Sequence, residues 1–461
     1  MKKYIFAVLL SVCLLVNNSI LAFSSTIETN DIVNWPTGPD LGAEAAFLME
    51  ANTGVILYAK NPHKKMYPAS TTKLLTALLA AENAEMTDMV TFSHDAVFSL
   101  EPGSSNIGID PGQAMPMEEC LYGIMVGSAN EVANAVAEHV GGSMEGFVDM
   151  MNKKVEELGL TDTHFTNANG LHDTEHYTSV YDLAMMAREF FNNDKLKDIG
   201  NTKSHHFTPT STQPDDFYVR NKHKLINGNI PYEGIIGGKT GYTSDAKETL
   251  VTCAEANGMR LICVIMKEDD PEQYYDTVKL FDYGFGSFQV MNVSGNEDRY
   301  SVSTSNFFPS SVDILGNSQQ ILRLNKDDYI IMPKNVLFRE LSSDVIYDGL
   351  DENVIARIDY NYHGQYLGYG NVEVNREQPV MSIFDEVIRD TRAEVGHEAN
   401  QNIIYINVIR VVSIVAGAAF AIMLISTFIS LIINYNLVDG AKKRRHDRQR
   451  RNRRSKNDIS F

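Results

Sequence analysis

The alternation of apolar and polar positions predicts that the first part of the chain mixes strands and helices. Two short apolar runs, 45–50 and 55–58, flank Asn52-Thr53-Gly54, a turn sequence that tolerates positive φ and therefore predicts a hairpin. A second hairpin is predicted around Ala256-Asn257-Gly258, between apolar runs at 249–255 and 259–266. Further runs are rich in helix formers and predict helices at 70–81, 117–140, 144–158, 179–191 and 272–283.

From about residue 286 the pattern changes to short alternating segments separated by Gly, Asn and Asp. This texture predicts a small all-β domain over 290–375. The next stretch, 376–410, is polar with scattered apolar residues and is interpreted as a juxtamembrane linker.

The N-terminus has the pattern of a secretory signal peptide over 1–24. Lys2 and Lys3 precede an apolar run at 4–16, and Ala22-Phe23-Ser24 places small residues two apart, as a signal peptidase requires. An uncleaved anchor helix is the alternative, although the apolar run is short for a membrane span.

Near the C-terminus, residues 411–433 contain no charged side chain and are rich in Ile, Val, Leu, Ala and Phe. Such a run predicts a single transmembrane helix. The tail at 434–461 is basic, with ten Lys or Arg and one Asp between 442 and 456. By the positive-inside rule the tail is expected in the cytoplasm and the body outside the cell membrane.

Composition narrows the classes of protein further. The chain has 461 residues, 44% of them hydrophobic and 21% charged, which excludes disorder throughout. Its net charge of −19 argues against a nucleic-acid surface over most of the chain, and no nucleic-acid partner is predicted. The basic tail is interpreted as a topology signal that also attracts anionic lipids.

Four cysteines in a chain of this length exclude a disulfide-stapled scaffold. Once the signal peptide is removed, Cys120, Cys253 and Cys263 remain. Their odd number favours buried free thiols, with a Cys253–Cys263 bridge as the alternative.

Three short motifs carry candidate chemistry, although each is weak alone. Ser70-Thr71-Thr72-Lys73 places a hydroxyl and an amine three residues apart, on one face of a helix, where a lysine with a lowered pKa serves as base. Ser128-Ala129-Asn130 offers a proton relay and an amide. Lys239-Thr240-Gly241 offers a cation and a hydroxyl for a carboxylate, and a glycine that lets a substrate backbone approach.

The order S-x-x-K, S-x-N, K-T-G is the signature of penicillin-recognising serine enzymes. With it, the sequence resembles the low-molecular-weight penicillin-binding proteins that are serine-type D-alanyl-D-alanine carboxypeptidases. The resemblance covers about 40–285. It extends to Pro68-Ala69-Ser70, Asn169-Gly170-Leu171, Tyr181-Asp182-Leu183-Ala184 and Asp282-Tyr283-Gly284-Phe285.

This resemblance implies an α/β (α+β) catalytic domain of the serine β-lactamase and transpeptidase type, with an antiparallel sheet flanked by helices. It implies that Ser70 is the acylated nucleophile, Lys73 its base and Ser128 the proton donor to the leaving D-alanine. It also implies that the substrate is held by Asn130, Lys239, Thr240, Gly241 and Tyr242, with the N–H groups of Ser70 and Tyr242 as oxyanion hole.

The expected partners are peptidoglycan stem peptides ending in D-Ala-D-Ala and, as covalent inhibitors, β-lactams. The sequence departs from the family near Gln273, where many members have an arginine that contributes to carboxylate recognition. Lys239 and Lys267 are the candidate replacements for that charge.

Two other functions compete with a carboxypeptidase. A β-lactamase is disfavoured because no E-x-x-L-N segment for a glutamate-held water occurs between Asn130 and Lys239. A catalytically weak or silent wall-binding protein is kept open by the missing arginine.

No cofactor is predicted, and no metal. The stretch from His172 to His176 matches H-x-x-E-H, but its polar residues predict a loop rather than the helix that a zinc site of this type requires.

Overall fold

A computed structural model describes residues 29–300, 322–351 and 354–374. The first part of the described chain is built on a five-stranded sheet with the order β2-β1-β9-β8-β7, in which every neighbouring pair is antiparallel. Its strands are β1 (Ala45–Glu50), β2 (Ile56–Lys60), β7 (Ile235–Thr243), β8 (Lys247–Ala256) and β9 (Met259–Glu268). The strand that carries Lys239, β7, therefore lies at one edge of the sheet.

Two short hairpins lie outside this sheet. They pair β3 (Met89–Thr91) with β4 (Ala114–Pro116), and β5 (Ser204–Phe207) with β6 (Phe217–Arg220).

Eight α-helices accompany the strands of the described residues. They are α1 (Lys73–Asn83), α2 (His94–Phe98), α3 (Met117–Tyr122), α4 (Asn130–Gly141), α5 (Met144–Glu157), α6 (Val180–Asn192), α7 (Asp194–Gly200) and α8 (Glu272–Ser287).

Both faces of the interior strand β1 are covered, and all six of its residues are buried. Because side chains alternate along a strand, Phe47 and Met49 join one hydrophobic core, with α1 and α4, whereas Ala46 and Leu48 join the other, with α8. The predicted antiparallel sheet flanked by helices is confirmed, as are the two predicted hairpins.

The predicted helix at 117–140 is wrong in one respect, because the structure divides it. After α3, a π-helical turn spans Gly123–Gly127, and Ser128 has a left-handed backbone with φ 58° before α4 begins. Helix-forming composition did not reveal this interruption, which places the buried Ser128 at the end of the turn.

A second, six-stranded antiparallel sheet follows. Its order is β10-β12-β15-β14-β13, and β11 also pairs with β15. The strands are β10 (Phe288–Asn292), β11 (Leu322–Leu324), β12 (Tyr329–Pro333), β13 (Ser342–Ile346), β14 (Val354–Tyr362) and β15 (Gln365–Val374). Alternate residues of β14, including Ala356, Ile358 and Tyr360, are buried, as a sheet with one covered face requires.

The predicted signal peptide (1–24), linker (376–410), transmembrane helix (411–433) and basic tail (434–461) lie outside the described residues. Within the described ranges, no helix combines the length and the apolar composition needed to cross a bilayer. Cys120, Cys253 and Cys263 are buried free thiols, which confirms the favoured prediction over a disulfide.

Candidate active site

The serine of the first motif lies on a short 3-10 turn, Ala69–Thr72, that leads directly into α1. Two hydroxyls fix the carbonyl at the start of this turn, because Thr71 Oγ1 and Thr249 Oγ1 donate to the Pro68 oxygen at 2.7 and 2.8 Å. The second contact comes from strand β8, so the sheet itself positions the serine.

The Lys73 ammonium connects three parts of the site. It donates to Ser70 Oγ at 3.0 Å, to Asn130 Oδ1 at 2.6 Å and to the carbonyl oxygen of Asn169 at 2.5 Å. The predicted i, i+3 arrangement of Ser70 and Lys73 on one face is confirmed. The side chain is fully buried, and all three of these acceptors are neutral.

Ser128 stands at the end of the π-helical turn and accepts a hydrogen bond from Lys239 Nζ at 2.9 Å. Lys239 is 2% exposed and also donates to the Thr240 carbonyl at 2.8 Å. The second and third motifs are therefore in direct contact, although 111 residues separate them.

Burial of the two lysines changes their acid–base properties. It lowers the pKa of Lys73 well below its usual range, and the positive charge of Lys239 lowers it further. Burial also lowers the pKa of Lys239 to about 7, assisted by the charge of Lys222. Desolvation disfavours the charged form of an amine, so burial shifts both lysines towards the neutral form that can act as a base.

Gly241 permits the edge strand to approach the nucleophile. A Cβ atom at this position meets Thr249 Oγ1 at 2.4 Å, the Ser70 nitrogen at 2.8 Å and the Pro68 oxygen at 3.0 Å. The glycine is required by space, not by backbone conformation.

The three motifs line one open cleft of about 470 Å³. Its walls include the predicted residues Ser70, Ser128, Asn130, Thr240, Gly241 and Tyr242. The Tyr242 side chain is 62% exposed at the rim. The geometry brings the Ser70 hydroxyl, two lysines with lowered pKa and an exposed strand edge together, an arrangement that suits acyl transfer at a serine.

Comparison with known proteins supports this chemistry. Residues 32–270 match the model of the D-alanyl-D-alanine carboxypeptidase family. The chain belongs to this family of serine-type peptidases.

Several relatives of this chain are members of the same family. The D-alanyl-D-alanine carboxypeptidase DacF of Bacillus subtilis (strain 168) is 36% identical over 254 residues, which are 54% of this chain and 63% of that protein. DacA of Escherichia coli (strain K12) is 27% identical over 386 residues, 80% of this chain and 92% of that protein. The crystal structure of penicillin binding protein 5 from Haemophilus influenzae has a TM-score of 0.57 at 28% identity, covering 73% of this chain and 98% of that one.

Within this family member, several site residues were not predicted from the sequence. Asn169 belongs to a stretch that supports the resemblance, but the hydrogen bond from Lys73 to its carbonyl was not expected. The next residue, Gly170, has φ 83°, and a Cβ there lies 1.9 Å from the Ala69 oxygen. The only sequence signal was the Asn-Gly pair itself, which marks a turn but not its neighbour.

His176 forms a hydrogen bond with the Ala69–Thr72 turn that carries Ser70. Its Nδ1 accepts a hydrogen bond from the Thr166 N–H at 3.0 Å, so its Nε2 carries the proton and donates to Thr72 Oγ1 at 2.9 Å. Burial lowers the pKa of His176 to about 3, which keeps the ring neutral. The stretch from His172 to His176 contains no helix, in agreement with the loop prediction.

Glu131 lies beside Asn130 at the start of α4 and forms hydrogen bonds with the loop that follows Ser105 of the cleft wall. Its Oε1 accepts from the backbone N–H groups of Ile107 and Gly108 at 2.6 and 3.1 Å. Burial raises the pKa of this carboxyl group.

The position of the missing arginine is also defined. Gln273 lies on α8 in the cleft wall, is 1% exposed, and turns its amide nitrogen to Asp270 Oδ1 at 3.3 Å. Lys267, a suggested replacement, is wrong for that role. It forms an ion pair with Glu44 at 2.7 Å and lines a different cavity.

Proposed function

We propose that this protein removes the terminal D-alanine from peptidoglycan stem peptides through an acyl-enzyme on Ser70. The observation that carries the proposal is the 3.0 Å hydrogen bond between Ser70 Oγ and the buried Lys73 amine, whose pKa is lowered by burial. A neutral amine in this position accepts the serine proton, which makes the hydroxyl a nucleophile at neutral pH.

In the first half-reaction, Ser70 Oγ attacks the carbonyl between the two D-alanines while its proton passes to Lys73 Nζ. The N–H groups of Ser70 and Tyr242 stabilise the oxyanion. Collapse of the tetrahedral intermediate breaks the peptide bond, and Ser128 delivers a proton to the leaving amine. Lys239, which donates to Ser128 Oγ, completes this relay.

In the second half-reaction, water attacks the Ser70 ester and passes its proton through Ser128 to Lys239, while Lys73 returns its proton to Ser70 Oγ. The ester bond breaks, which regenerates the serine and releases the shortened peptide. Asn130 is proposed to hold a substrate amide, and Lys239 and Thr240 its C-terminal end. The edge position of β7 supports this pose, because an extended peptide binds readily along an unpaired strand edge.

We infer that the catalytic body works outside the cell membrane, exported by the signal peptide at 1–24 and anchored by residues 411–433, with the basic tail inside. Externally added protease should then digest the body in intact cells and spare residues 442–456. Loss of the tail under the same conditions would contradict this topology.

A catalytically silent wall-binding protein is less well supported, because Lys73 and Lys239 are buried at an energetic cost without carboxylate partners among the described residues. A binding protein gains nothing from that cost.

Labelled penicillin tests the proposed nucleophile. The full-length protein in detergent should be acylated, and the label should lie in the peptide 66–73 between two lysines. Ser70→Ala should abolish labelling, whereas Ser104→Ala, on the wall of the same cleft, should retain it. Labelling that persists in Ser70→Ala would refute the assignment. Released D-alanine from a D-Ala-D-Ala peptide separates the carboxypeptidase from a silent binder.

A further inference from the structure

The cleft contains a cation to which neither the motifs nor the resemblance gives a role. Lys222 follows strand β6, is exposed, and lines the cleft. Its Nζ donates to Ser105 Oγ at 2.9 Å, and the Ser105 carbonyl accepts from the Asn130 N–H at 2.9 Å. The Lys222 ammonium therefore lies on the wall next to the S-x-N motif.

The charge of Lys222 reaches the catalytic lysines, because it lowers the pKa of both Lys73 and Lys239. No carboxylate of the described residues forms an ion pair with Lys222. Two other lysines differ, since Lys224 pairs with Asp270 at 2.7 Å and Lys267 pairs with Glu44 at 2.7 Å. A cation that faces a ligand cleft without a protein anion is suited to an anionic group of the ligand.

The backbone of Lys222 also lies beside the place where the resemblance expects an arginine. The hydroxyl of Tyr274 on α8 donates to the Lys222 carbonyl at 3.4 Å, and Tyr274 directly follows Gln273. Gln273 itself is buried with its amide nitrogen on Asp270, so it presents no charge to the cleft. A second segment of the chain thus supplies a positive charge to the same cleft.

We propose that Lys222 binds the terminal carboxylate of the substrate and sets the preference for peptides with a free C-terminus. This assignment rests on the proposed function. A carboxylate bound between Thr240 and the wall formed by Ser105 replaces the Ser105 hydroxyl as acceptor of the Lys222 hydrogen bond. A charged acceptor makes the stronger bond, and a bound peptide strengthens it further by excluding water.

Two peptides that end in D-Ala-D-Ala, one with a free carboxylate and one with a C-terminal amide, test the assignment. In the full-length protein, Lys222→Met should reduce the ratio of kcat/KM for the carboxylate peptide over the amide peptide by about tenfold or more. Lys222→Arg should retain most of the ratio. Lys267→Met, which removes a paired lysine outside the cleft, is the matched control and should leave it unchanged.

The ratio is the informative quantity, because removing the Lys222 charge also raises the pKa of Lys73 and shifts the pH profile for both peptides alike. An unchanged ratio in an active Lys222→Met protein would overturn the assignment, as would a loss found in Lys224→Met instead. A wild type that cleaves neither peptide and does not react with labelled penicillin would overturn the proposed function, and this assignment with it.

Discussion

Two regions of this protein bury charged groups in opposite ways. In the cleft, Lys73 and Lys239 contact only neutral oxygens among their hydrogen-bond acceptors. Next to the second sheet, the fully buried Glu297 carboxylate accepts from Arg299 at 2.9 Å and from the Tyr360 hydroxyl at 2.8 Å.

The consequences for ionisation differ accordingly. Burial lowers the pKa of both lysines, and that of Lys239 to about 7. Burial also disfavours the Glu297 carboxylate, but the hydrogen bonds from Arg299 and Tyr360 outweigh it and lower the pKa of Glu297. The second region therefore stabilises the ionised form of Glu297. The cleft instead favours the neutral form of the two lysines, which can accept a proton, and their burial lowers the stability of the fold.

The largest expected effect is on the acylation rate of Lys73→Met, whose stability should not fall. Lys73→Met should slow penicillin acylation by about 10²–10⁴-fold or more, because the base is lost. Its thermal midpoint should stay the same or rise, since a buried cation without a counter-ion is removed. Quenched time courses of penicillin labelling measure the acylation rate, and calorimetry measures the thermal midpoint. Near-normal acylation would move the base role to another residue.

Gly241→Ala tests whether the cleft depends on a close approach of two backbones. The added methyl group meets the Ser70 nitrogen and Thr249 Oγ1, so β7 must move away from the nucleophile. We expect acylation to fall by about 10²-fold, a typical cost of misplacing reacting groups by about 1 Å. Gly286→Ala, where a methyl group meets nothing within 4 Å, is the control. Equal acylation rates in both variants would show that this contact is dispensable.

Both regions should gain stability as pH rises, but in different pH ranges. Lys239 is neutral in the folded protein above a pKa of about 7, but it stays protonated in the unfolded chain up to the ordinary lysine pKa of 10.5. Unfolding then takes up a proton, so stability due to Lys239 rises between these pH values. Glu297 has a lowered pKa, so its contribution is present above 4.5 and is lost as pH falls through the folded value.

Thermal midpoints measured across pH for the wild type, Lys239→Met and Glu297→Gln check these signs. Lys239→Met should lose the rise above pH 7, and Glu297→Gln should lose part of the decline in acid. A Lys239→Met curve parallel to the wild type at alkaline pH would contradict a lowered lysine pKa.

Glu297→Gln should cost about 1–3 kcal/mol of unfolding free energy, the range for hydrogen bonds to a buried charged group. The Arg299 side chain is 38% exposed, so water limits the penalty. Acylation should be unchanged. The exposed neighbour provides a control, Asp298→Asn, which should be neutral in stability. Denaturant unfolding measures the stability of both variants. Equal stabilities would contradict the view that the buried Glu297 charge stabilises the second region.

The smallest effect is expected from Gln273→Arg, which adds the arginine that the family resemblance expects. It should raise kcat/KM for a free-carboxylate peptide by less than about tenfold. Asp270, already 3.3 Å from the Gln273 amide nitrogen, competes for the new guanidinium group. Gln273→Met is the neutral control. Equal gains on carboxylate and amide peptides would mean that the arginine acts through something other than the carboxylate.

Local sequence determined the elements that depend on neighbouring residues. Asn52-Thr53-Gly54 and Asn257-Gly258 specified their hairpins, because the required turns need residues that tolerate positive φ. The spacing of Ser70 and Lys73 specified their contact, because three residues complete nearly one helical turn. The order of the three motifs specified the family.

Only the tertiary structure decided which distant groups complete the site. The Asn169 carbonyl, the Thr249 hydroxyl and the Lys222 ammonium come from separate segments, and nothing in their local sequence indicates the cleft. The same holds for the lysines: Lys73 and Lys239 are ordinary cations in an unfolded chain. Their lowered pKa arises because folding removes water from around them, while no carboxylate of the described residues forms an ion pair with either. Desolvation is a property of the packed structure rather than of any short stretch of sequence.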